Sequence, residues 1–411
     1  MLFKYFFAHN VVVFLRPKLI TVDAVLPLCM ELKQRYPKSN VLFCVPNDSW
    51  PDTANENGLR TWNLLQRNTT LWDGMRNVGD VLLYCSYYNK YRARIVNILQ
   101  RLKAFSVVLL LLLISKKCCL IQFVEPTSRM MSMLTSLARI FGKAYSVESR
   151  MYVGETMQRI VEQHKDMVVQ DSRSYVDGVI SFSPSHFYRE IGCSSKALLG
   201  CSHLFPSWKE YIRQESESFY REFYAEHPDL YGKKIVVFCL GIVGTVLQYG
   251  TYEMRLGPEG PGTLFLQAMD VLRSFDDDIV VFLKPHFVTN VPYVEAVVSS
   301  QNGGNFFVTY EHPEVLLGRA HVQLACLFSM TLWMGKMCGV PTIEFSDYSE
   351  MLLEVMNHSG YEPDAVDYFI NNDVERLKNV IRSLVQSEPK ANPAPSSLFE
   401  VDLSSLDTFF D

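Results

Sequence analysis

A cation, a proline and a titratable imidazole directly follow one apolar stretch of the chain. Residues 278–290 read DIVVFLKPHFVTN, in which a buried strand is predicted to end at Lys284, Pro285 and His286. Lysine supplies a point charge, histidine a pH-dependent donor, and proline a rigid turn. Together they can bind an anion such as a phosphate at the edge of a sheet. A lysine that extends into solvent and a histidine bonded to a loop carbonyl are an equally good interpretation.

Two further segments of the second half carry groups suited to the same anion. Gly241 and Gly244 follow the strand KIVVFCLG and begin a glycine-rich loop, where backbone amides can approach a phosphate closely. Ser329 and Thr331 stand where the helix MTLWMGKMC is predicted to begin, and helix N-termini attract anions. Glycine clusters are more often simple turns, and such serines are more often plain helix caps. Only their combination with the first segment favours a shared site.

Alternating strands and helices have to position these residues. Their patterns alternate through both halves of the chain, which predicts an α/β fold with parallel sheets. Either 107–114 or 119–126 is expected to be a strand, and 361–386 a terminal amphipathic helix. Ligands of such sheets bind at the carboxyl ends of the strands. The expected parts are an N-terminal domain over 1–205, a helical connection over 206–232, a C-terminal domain over 233–386 and a flexible Pro/Ser-rich tail over 387–411.

Composition limits the partners. The chain has 411 residues, 48% of them apolar and 20% charged, which predicts soluble domains of ordinary size. A net charge of −5 gives no overall attraction to nucleic acid, so no nucleic-acid partner is expected. Ten scattered cysteines without a CxxC pair favour a reducing, cytoplasmic setting. His, Asp and Glu are nowhere spaced along the sequence as metal ligands are, so no metal is expected.

Two apolar runs invite comparison with membrane segments. The N-terminal run is interrupted by His9 and Asn10, and we predict a first buried strand there rather than a signal peptide. The run AFSVVLLLLLI, 104–114, has only 11 residues. A spanning helix needs about 20. Basic residues flank this run, which leaves a peripheral contact with the cytoplasmic face of the inner membrane as the less favoured alternative. These residues are Arg101, Lys103, Lys116 and Lys117.

The order of these segments carries a family resemblance. The second half of the chain resembles the C-terminal domain of certain glycosyltransferases. The resemblance rests on the order of its segments: a strand, a glycine-rich loop, KPH, and then S-x-T with a helix followed by GVPTIE. These enzymes have two facing Rossmann-like domains with parallel sheets, the GT-B architecture. Within that group the chain is most similar to proteins of bacterial capsule and surface-polysaccharide synthesis. The opening segment FLRPKLITVDAVLPLCMELKQRYP also resembles the first β-α-β unit of such proteins.

The resemblance implies a metal-independent transferase. It would move a sugar from a nucleotide-sugar donor to a growing surface glycan or a lipid-linked acceptor, with no tightly bound cofactor. Lys284, His286, the glycines and the Ser329 helix would hold the donor. Many relatives carry Glu-Ala where this chain has Met334 and Gly335. This departure implies that the donor ribose has another partner, that the donor differs or that activity is weakened. Glu344 is the candidate for the other partner.

In the N-terminal domain the resemblance implies a general base at a strand end, which deprotonates the acceptor hydroxyl. The candidates are Asp23, Asp48, Glu125 and His186. Arg16 and Lys18 are available to hold an anionic donor or acceptor. Each candidate base also has a plain structural interpretation, such as a carboxylate in the first turn of a helix. Alternatives for the whole chain are a polyol-phosphate transferase, a pyruvyl transferase, a nucleotide-sugar 2-epimerase or a non-catalytic relative.

Overall fold

Valine-rich buried strands form two parallel β-sheets, one in each half of the chain. Each sheet has a strand near its middle with five consecutive buried residues. This strand is β1 (His9–Phe14) in the first sheet and β8 (Lys234–Cys239) in the second. Burial on both faces is typical of a parallel sheet covered by helices on each side. The computed structural model describes residues 2–15, 19–46, 65–84, 94–123, 129–147, 178–181, 196–198, 201–241, 243, 248–249, 252–253, 261–286, 289–300, 304–327, 329–360, 363–387, 401 and 403–410.

Helices and strands alternate along the described chain. The remaining strands of the first half are β2 (Asn40–Pro46), β3 (Asp80–Tyr84), β4 (Lys117–Phe123), β5 (Gly142–Val147), β6 (Gly178–Ser181) and β7 (Lys196–Leu198). Its helices are α1 (Leu19–Arg35), α2 (Thr69–Val78), α3 (Arg94–Ile114) and α4 (Arg129–Phe141), and α5 (Pro206–Glu226) follows. The second half adds the strands β9 (Gln248–Tyr249), β10 (Tyr252–Glu253), β11 (Ile279–Lys284), β12 (Phe306–Val308), β13 (Val322–Cys326), β14 (Thr342–Ser346) and β15 (Tyr368–Asn371). Its helices are α6 (Pro261–Arg273), α7 (Val291–Ser299), α8 (Pro313–Leu317), α9 (Thr331–Cys338), α10 (Glu350–Val355) and α11 (Val374–Gln386).

The six strands of the second sheet follow the same order as the first six of the seven strands of the first sheet. The first is β3-β2-β1-β4-β5-β6-β7 and the second is β12-β11-β8-β13-β14-β15, with parallel pairing throughout. In each sheet the first three strands extend to one side, and the fourth returns to the other side of the first. This is the Rossmann order, in which the ligand crevice lies where the order reverses. The expected fold, two Rossmann-like domains with parallel sheets, is therefore confirmed.

Helices cover both faces of each sheet. Val11 and Val13 of β1 pack in the cluster that includes α1 and α2, whereas Val12 and Phe14 pack in the cluster with α3 and α4. The second sheet is divided in the same way, with α6 and α11 on one face and α8 and α9 on the other. This alternation follows from the period of two of a strand.

Helix α5 joins the two domains. Trp208 and Ile212 in its first half are buried in the N-terminal core. Tyr220 and Phe223 in its second half are buried in the C-terminal core. One continuous helix thus packs on both domains and helps to set their relative position.

The structure decides between two predicted strands and corrects one predicted helix. The run 107–114 belongs to α3, and β4 follows it, so the strand alternative at 119–126 is the right one. The helix predicted over 361–386 is wrong in its first part, because β15 occupies 368–371. Asp373 then caps α11 by accepting a hydrogen bond from the Arg376 amide at 2.9 Å. Among the described residues, no helix combines the length and the apolar character needed to cross a membrane.

The end of the chain differs from the flexible tail expected over 387–411. Residues 404–408 form a 3-10 helix that packs on the N-terminal domain. Phe409 is buried and stacks on Tyr145, with ring centroids 4.5 Å apart. Phe410 stacks on His9 at 5.0 Å. Burial of two aromatic rings outweighs the ordering cost that the Pro/Ser-rich composition suggested.

Candidate functional site

The crevice of the second domain lies between β8 and β13, where its strand order reverses. Lys284 at the end of β11 pairs in register with Cys239 at the end of β8. On the other side of β8, Ala325 of β13 also pairs with Cys239, and Ser329 follows shortly after. The fold therefore brings the three predicted segments, which begin at Gly241, Lys284 and Ser329, to neighbouring strand ends.

Hydrogen bonds join the loops that follow β8 and β11. The Thr289 hydroxyl donates to the Gly241 carbonyl at 2.7 Å and accepts from the His286 amide at 2.9 Å. The Asn290 amide donates to the Val243 carbonyl at 2.9 Å. Gly241 and His286 are thus held on adjacent strand ends by a shared threonine.

The N-terminus of α9 carries two hydroxyl groups at the edge of the crevice. Its N-cap, Met330, makes no side-chain capping bond to the helix. The hydroxyls of Ser329 and Thr331 lie 2.8 Å apart, and the Thr331 amide donates to the Ser329 hydroxyl at 3.3 Å. Two hydroxyls next to the positive end of a helix dipole are suited to an oxyanion.

Lys284 lies between this crevice and the N-terminal domain. It is half-buried, and its ammonium is 5.9 Å from the centre of the Tyr310 ring. Burial lowers the pKa of Lys284, while Cys239, Glu311 and Asp23 partly counteract that effect. A partly desolvated cation interacts with an anion more strongly than one in water does.

Across the crevice, an aspartate of the first domain bonds to a histidine of the second. Asp23 lies on α1, just beyond the carboxyl end of β1, and His312 lies just beyond β12. The His312 Nε2 donates to Asp23 Oδ1 at 2.7 Å. Its Nδ1 accepts the Glu314 amide at 3.2 Å and so caps α8. The carboxyl edges of the two sheets consequently face each other.

A second imidazole completes a buried group of four residues, which we name the interdomain ionic cluster: Asp23, His203, His312 and Glu314. His203 Nδ1 donates to Glu314 Oε1 at 2.8 Å, and its Nε2 is 3.5 Å from Asp23 Oδ1. Burial alone would lower the pKa of His203, but the carboxylates of Glu314 and Asp23 raise it to about 9. His203 is therefore an imidazolium held between two carboxylates.

Neighbouring groups hold this cluster in place. The indole nitrogen of Trp208 donates to Glu314 Oε2 at 2.6 Å. Glu311, next to the cluster, accepts from the hydroxyls of Thr69 and Thr70 on α2, the latter at 2.5 Å, and from the Thr70 amide at 3.3 Å. Carboxylates bonded to backbone and side-chain donors are strongly oriented. The contacts across the crevice therefore fix the angle between the domains.

The fold brings three potential metal ligands together that are not near one another in the sequence. The ligand atoms of Asp23, His203 and His312 lie within 4.8 Å of one another, although their spacing in the sequence gave no sign of it. The tautomer of His312 argues for protons rather than a metal ion at this place. Because its Nδ1 accepts a hydrogen bond, its Nε2 carries the proton and has no lone pair for a metal.

Asp23 was one of the four candidates for the general base, and its surroundings favour a different role. Helix α1 begins at Leu19, so Asp23 lies in the second turn rather than the first. Burial would raise the pKa of Asp23, but His312, His203 and Lys284 lower it below the usual range. A carboxylate with a low pKa that already accepts a hydrogen bond is a weak base. Its contacts fit an orienting role.

The departure from the Glu-Ala pattern has a packing reason. Met334 is buried among the apolar side chains that cover β8 and β13. A Cβ on Gly335 would overlap the side-chain oxygen of Gln323 and the methyl group of Thr342, so an alanine there requires both side chains to shift. Glu344, the expected replacement, is fully buried, and it accepts a hydrogen bond from the Tyr348 hydroxyl at 2.7 Å. Burial raises the pKa of Glu344 to about 7. Its contact with the ribose stays a prediction.

Several predicted site residues lie outside the described part of the chain. They are Arg16, Lys18, Asp48, Glu125, His186 and Gly244. Reasoning from the sequence missed His203, His312 and Glu314, and His203 lies 111 positions from Glu314. The one local signal was the string EHPE at 311–314, a histidine between acids before an apolar run. It is compatible with a helix cap, which is one of the roles that His312 has.

Comparison with known proteins supports the fold and leaves the family open. No protein-family profile matches the sequence, and no curated protein matches it either. Similar solved structures include UDP-GlcNAc 2-epimerase from Neisseria meningitidis bound to UDP-GlcNAc, with 12% identity, 93% of this chain and 95% of that chain covered, and a TM-score of 0.50. Another UDP-N-acetylglucosamine 2-epimerase has 13% identity, coverages of 92% and 87%, and a TM-score of 0.50. The glycosyltransferase of kitacinnamycin has 11% identity, coverages of 92% and 91%, and a TM-score of 0.45. The two parallel Rossmann-like sheets and the neighbours with a TM-score of 0.50 together give the chain a fold of the GT-B type.

Proposed function

We propose that the protein is an enzyme that binds a nucleotide sugar in the crevice between its two domains. One observation carries the proposal: the reversal point of the second sheet gathers Gly241, the Ser329–Thr331 hydroxyls and Lys284. Such a group of a cation, a helix N-terminus and glycine backbone suits a diphosphate. The neighbour from Neisseria meningitidis, which has the same fold, binds UDP-GlcNAc.

The proposed reaction is transfer of the sugar to an acceptor hydroxyl. Negative charge develops on the departing phosphate, where Lys284 and the amides of α9 can stabilise it. The acceptor would be a growing surface glycan or a lipid-linked sugar. Asp23 would orient groups at the crevice, and Glu125 and His186 stay candidates for the base. No metal is required for this charge stabilisation, so transfer should continue in the presence of EDTA.

Epimerisation of a nucleotide sugar at C2 is the second candidate. The observation in its favour is that two solved structures with a TM-score of 0.50 are both UDP-GlcNAc 2-epimerases. Nothing in the described part of the chain favours a polyol-phosphate or pyruvyl transferase. Both remaining reactions use the same donor site, so they differ in what happens to the sugar and not in where the phosphates bind.

Product analysis separates these reactions. The protein is incubated with UDP-GlcNAc, and then with CMP-, GDP- and CDP-linked sugars, with and without a lipid-linked or oligosaccharide acceptor. A transferase releases free nucleotide in proportion to the acceptor supplied. An epimerase forms a second nucleotide-sugar stereoisomer without any acceptor, which proton NMR detects. If no nucleotide sugar is converted and none raises the unfolding temperature, the chain is a non-catalytic relative and the proposal is wrong.

A further inference from the structure

Exposed apolar side chains are concentrated on one face of the N-terminal domain. Seven of the nine large apolar residues that are exposed in the described part of the chain lie there. On α3 they are Leu102, Leu110 and Leu113, and on α4 they are Met133 and Ile140. Their spacing along each helix matches the helical period, so each set forms a stripe. The other two exposed residues lie elsewhere in the fold.

The remaining two of the seven precede β1. Phe6 is 43% exposed and Phe7 is 81% exposed. The Phe7 amide donates to the Ile114 carbonyl at 2.9 Å, which places this turn at the end of α3. Phe7 has a φ of +54°, a conformation that bulky residues rarely adopt. A costly backbone conformation here holds an aromatic ring out in solvent.

The buried sides of the same helices account for their attachment to the sheet. Val108 and Leu111 of α3 pack with Leu134 and Ala138 of α4 in one core cluster with β1 and β4. The exposed stripes therefore lie on the outside of this layer. Helices α1 and α2 pack in the other core cluster of this domain, and Trp208 and Ile212 of α5 do so as well. The exposed face is consequently turned away from the connection between the domains.

The charge of this region is opposite to that of the whole chain. Residues 94–147 contain eight lysines and arginines and a single acidic residue, Glu125, a balance of +7. The whole chain carries −5. Three exposed cations lie beside the apolar stripes: Lys103 on α3, Lys116 just after α3, and Arg139 on α4. We name these elements, α3, α4 and the Phe6–Phe7 turn, the apolar-basic face.

We propose that the apolar-basic face docks on a membrane surface that contains anionic lipid. Leucine and phenylalanine side chains can enter the boundary between headgroups and acyl chains, while lysine and arginine attract anionic headgroups. A two-fold dimer through this face would place two strongly basic surfaces against each other, which disfavours self-association. Docking in this way leaves the crevice free for a water-soluble donor. The inference does not depend on the proposed reaction.

Vesicle binding of the full chain tests the proposal. Phosphatidylcholine vesicles with and without phosphatidylglycerol are sedimented with the protein. We expect binding to the anionic vesicles only, and its loss in high salt, where the Debye length falls from about 10 Å at 0.1 M to about 3 Å at 1 M. Wild-type protein that binds neither vesicle, or both equally, would overturn the proposal.

Paired variants localise the contact. Leu113→Asp combined with Ile140→Asp should weaken vesicle binding at least about tenfold, because charge is costly in the acyl region. Leu266→Asp, at a residue 37% exposed on α6 of the other domain, should bind like wild type.

Lys103→Glu with Lys116→Glu should also weaken binding, whereas Lys209→Glu on α5 should not. Circular dichroism checks each fold. Unchanged binding in both double variants, or a dimer that they dissociate without any lipid binding, contradicts the inference.

Discussion

The imidazolium at the domain junction should make stability depend on pH above neutrality. The pKa of His203 is raised from 6.5 to about 9 in the folded protein by Glu314 and Asp23, against the effect of burial. The folded state therefore holds this proton more tightly than the unfolded state does. Its stabilising effect is complete below pH 6.5 and is lost as the pH rises through 9. A shift of this size corresponds to about 3 kcal/mol of unfolding free energy.

Urea unfolding of wild type and Glu314→Gln between pH 6 and 10, followed by far-UV circular dichroism, tests this reasoning. The variant keeps an acceptor for the Trp208 indole but removes the charge that faces His203. At pH 6.5 it should be less stable by about 3 to 5 kcal/mol, the usual cost of breaking a buried pair. That deficit should shrink as wild-type His203 loses its proton. A deficit that stays constant up to pH 10, or a wild-type stability that does not fall, would refute the account.

Two further substitutions test the packing of the N-terminal domain. Phe409→Ala removes a buried ring that stacks on Tyr145. It should lower the free energy of unfolding, measured in urea, by about 3 to 5 kcal/mol. An effect near zero would mean that the C-terminal segment does not pack on the N-terminal domain. Gly142→Ala should also be strongly destabilising, because a Cβ there would overlap the Cys118 carbonyl on the paired strand. Gly304→Ala has open space around it and serves as the control, with a change of less than about 1 kcal/mol in either direction. Equal urea midpoints for Gly142→Ala and Gly304→Ala would contradict the tight packing of β4 against β5.

Local patterns were sufficient to predict most of the two sheets. Valine-rich segments such as those of β1 and β8 are buried on both faces, so their apolar runs are continuous and easily recognised. The leucine run of α3 was ambiguous because a fully apolar segment has no period. The short strand β15 and the docked Phe409 were missed, since tertiary contacts rather than local composition stabilise them.

The candidate site was only partly predictable for the same reason. Lys284 and Ser329 follow recognisable strands, and the Rossmann strand order brings such ends together. The interdomain ionic cluster depends on contacts between residues that are far apart in the sequence. Asp23 and His312 are 289 positions apart, and His203 and Glu314 are 111 positions apart. No spacing rule covers separations of that kind. Only the folded chain could bring these charges together and thereby shift the pKa of Asp23 and His203.

Nucleotide-sugar affinity is the most direct test of the central claim, that the reversal point of the second sheet binds the donor phosphates. Titration calorimetry should first identify the tightest binder among UDP-, GDP-, CDP- and CMP-linked sugars. Lys284→Met and Ser329→Ala should then each weaken it about 10- to 100-fold, the range for a hydrogen bond to a charged group. Lys233→Met, at the opposite end of the same sheet, is the matched control and should bind like wild type. Folded Lys284 and Ser329 variants with wild-type affinity would contradict the account.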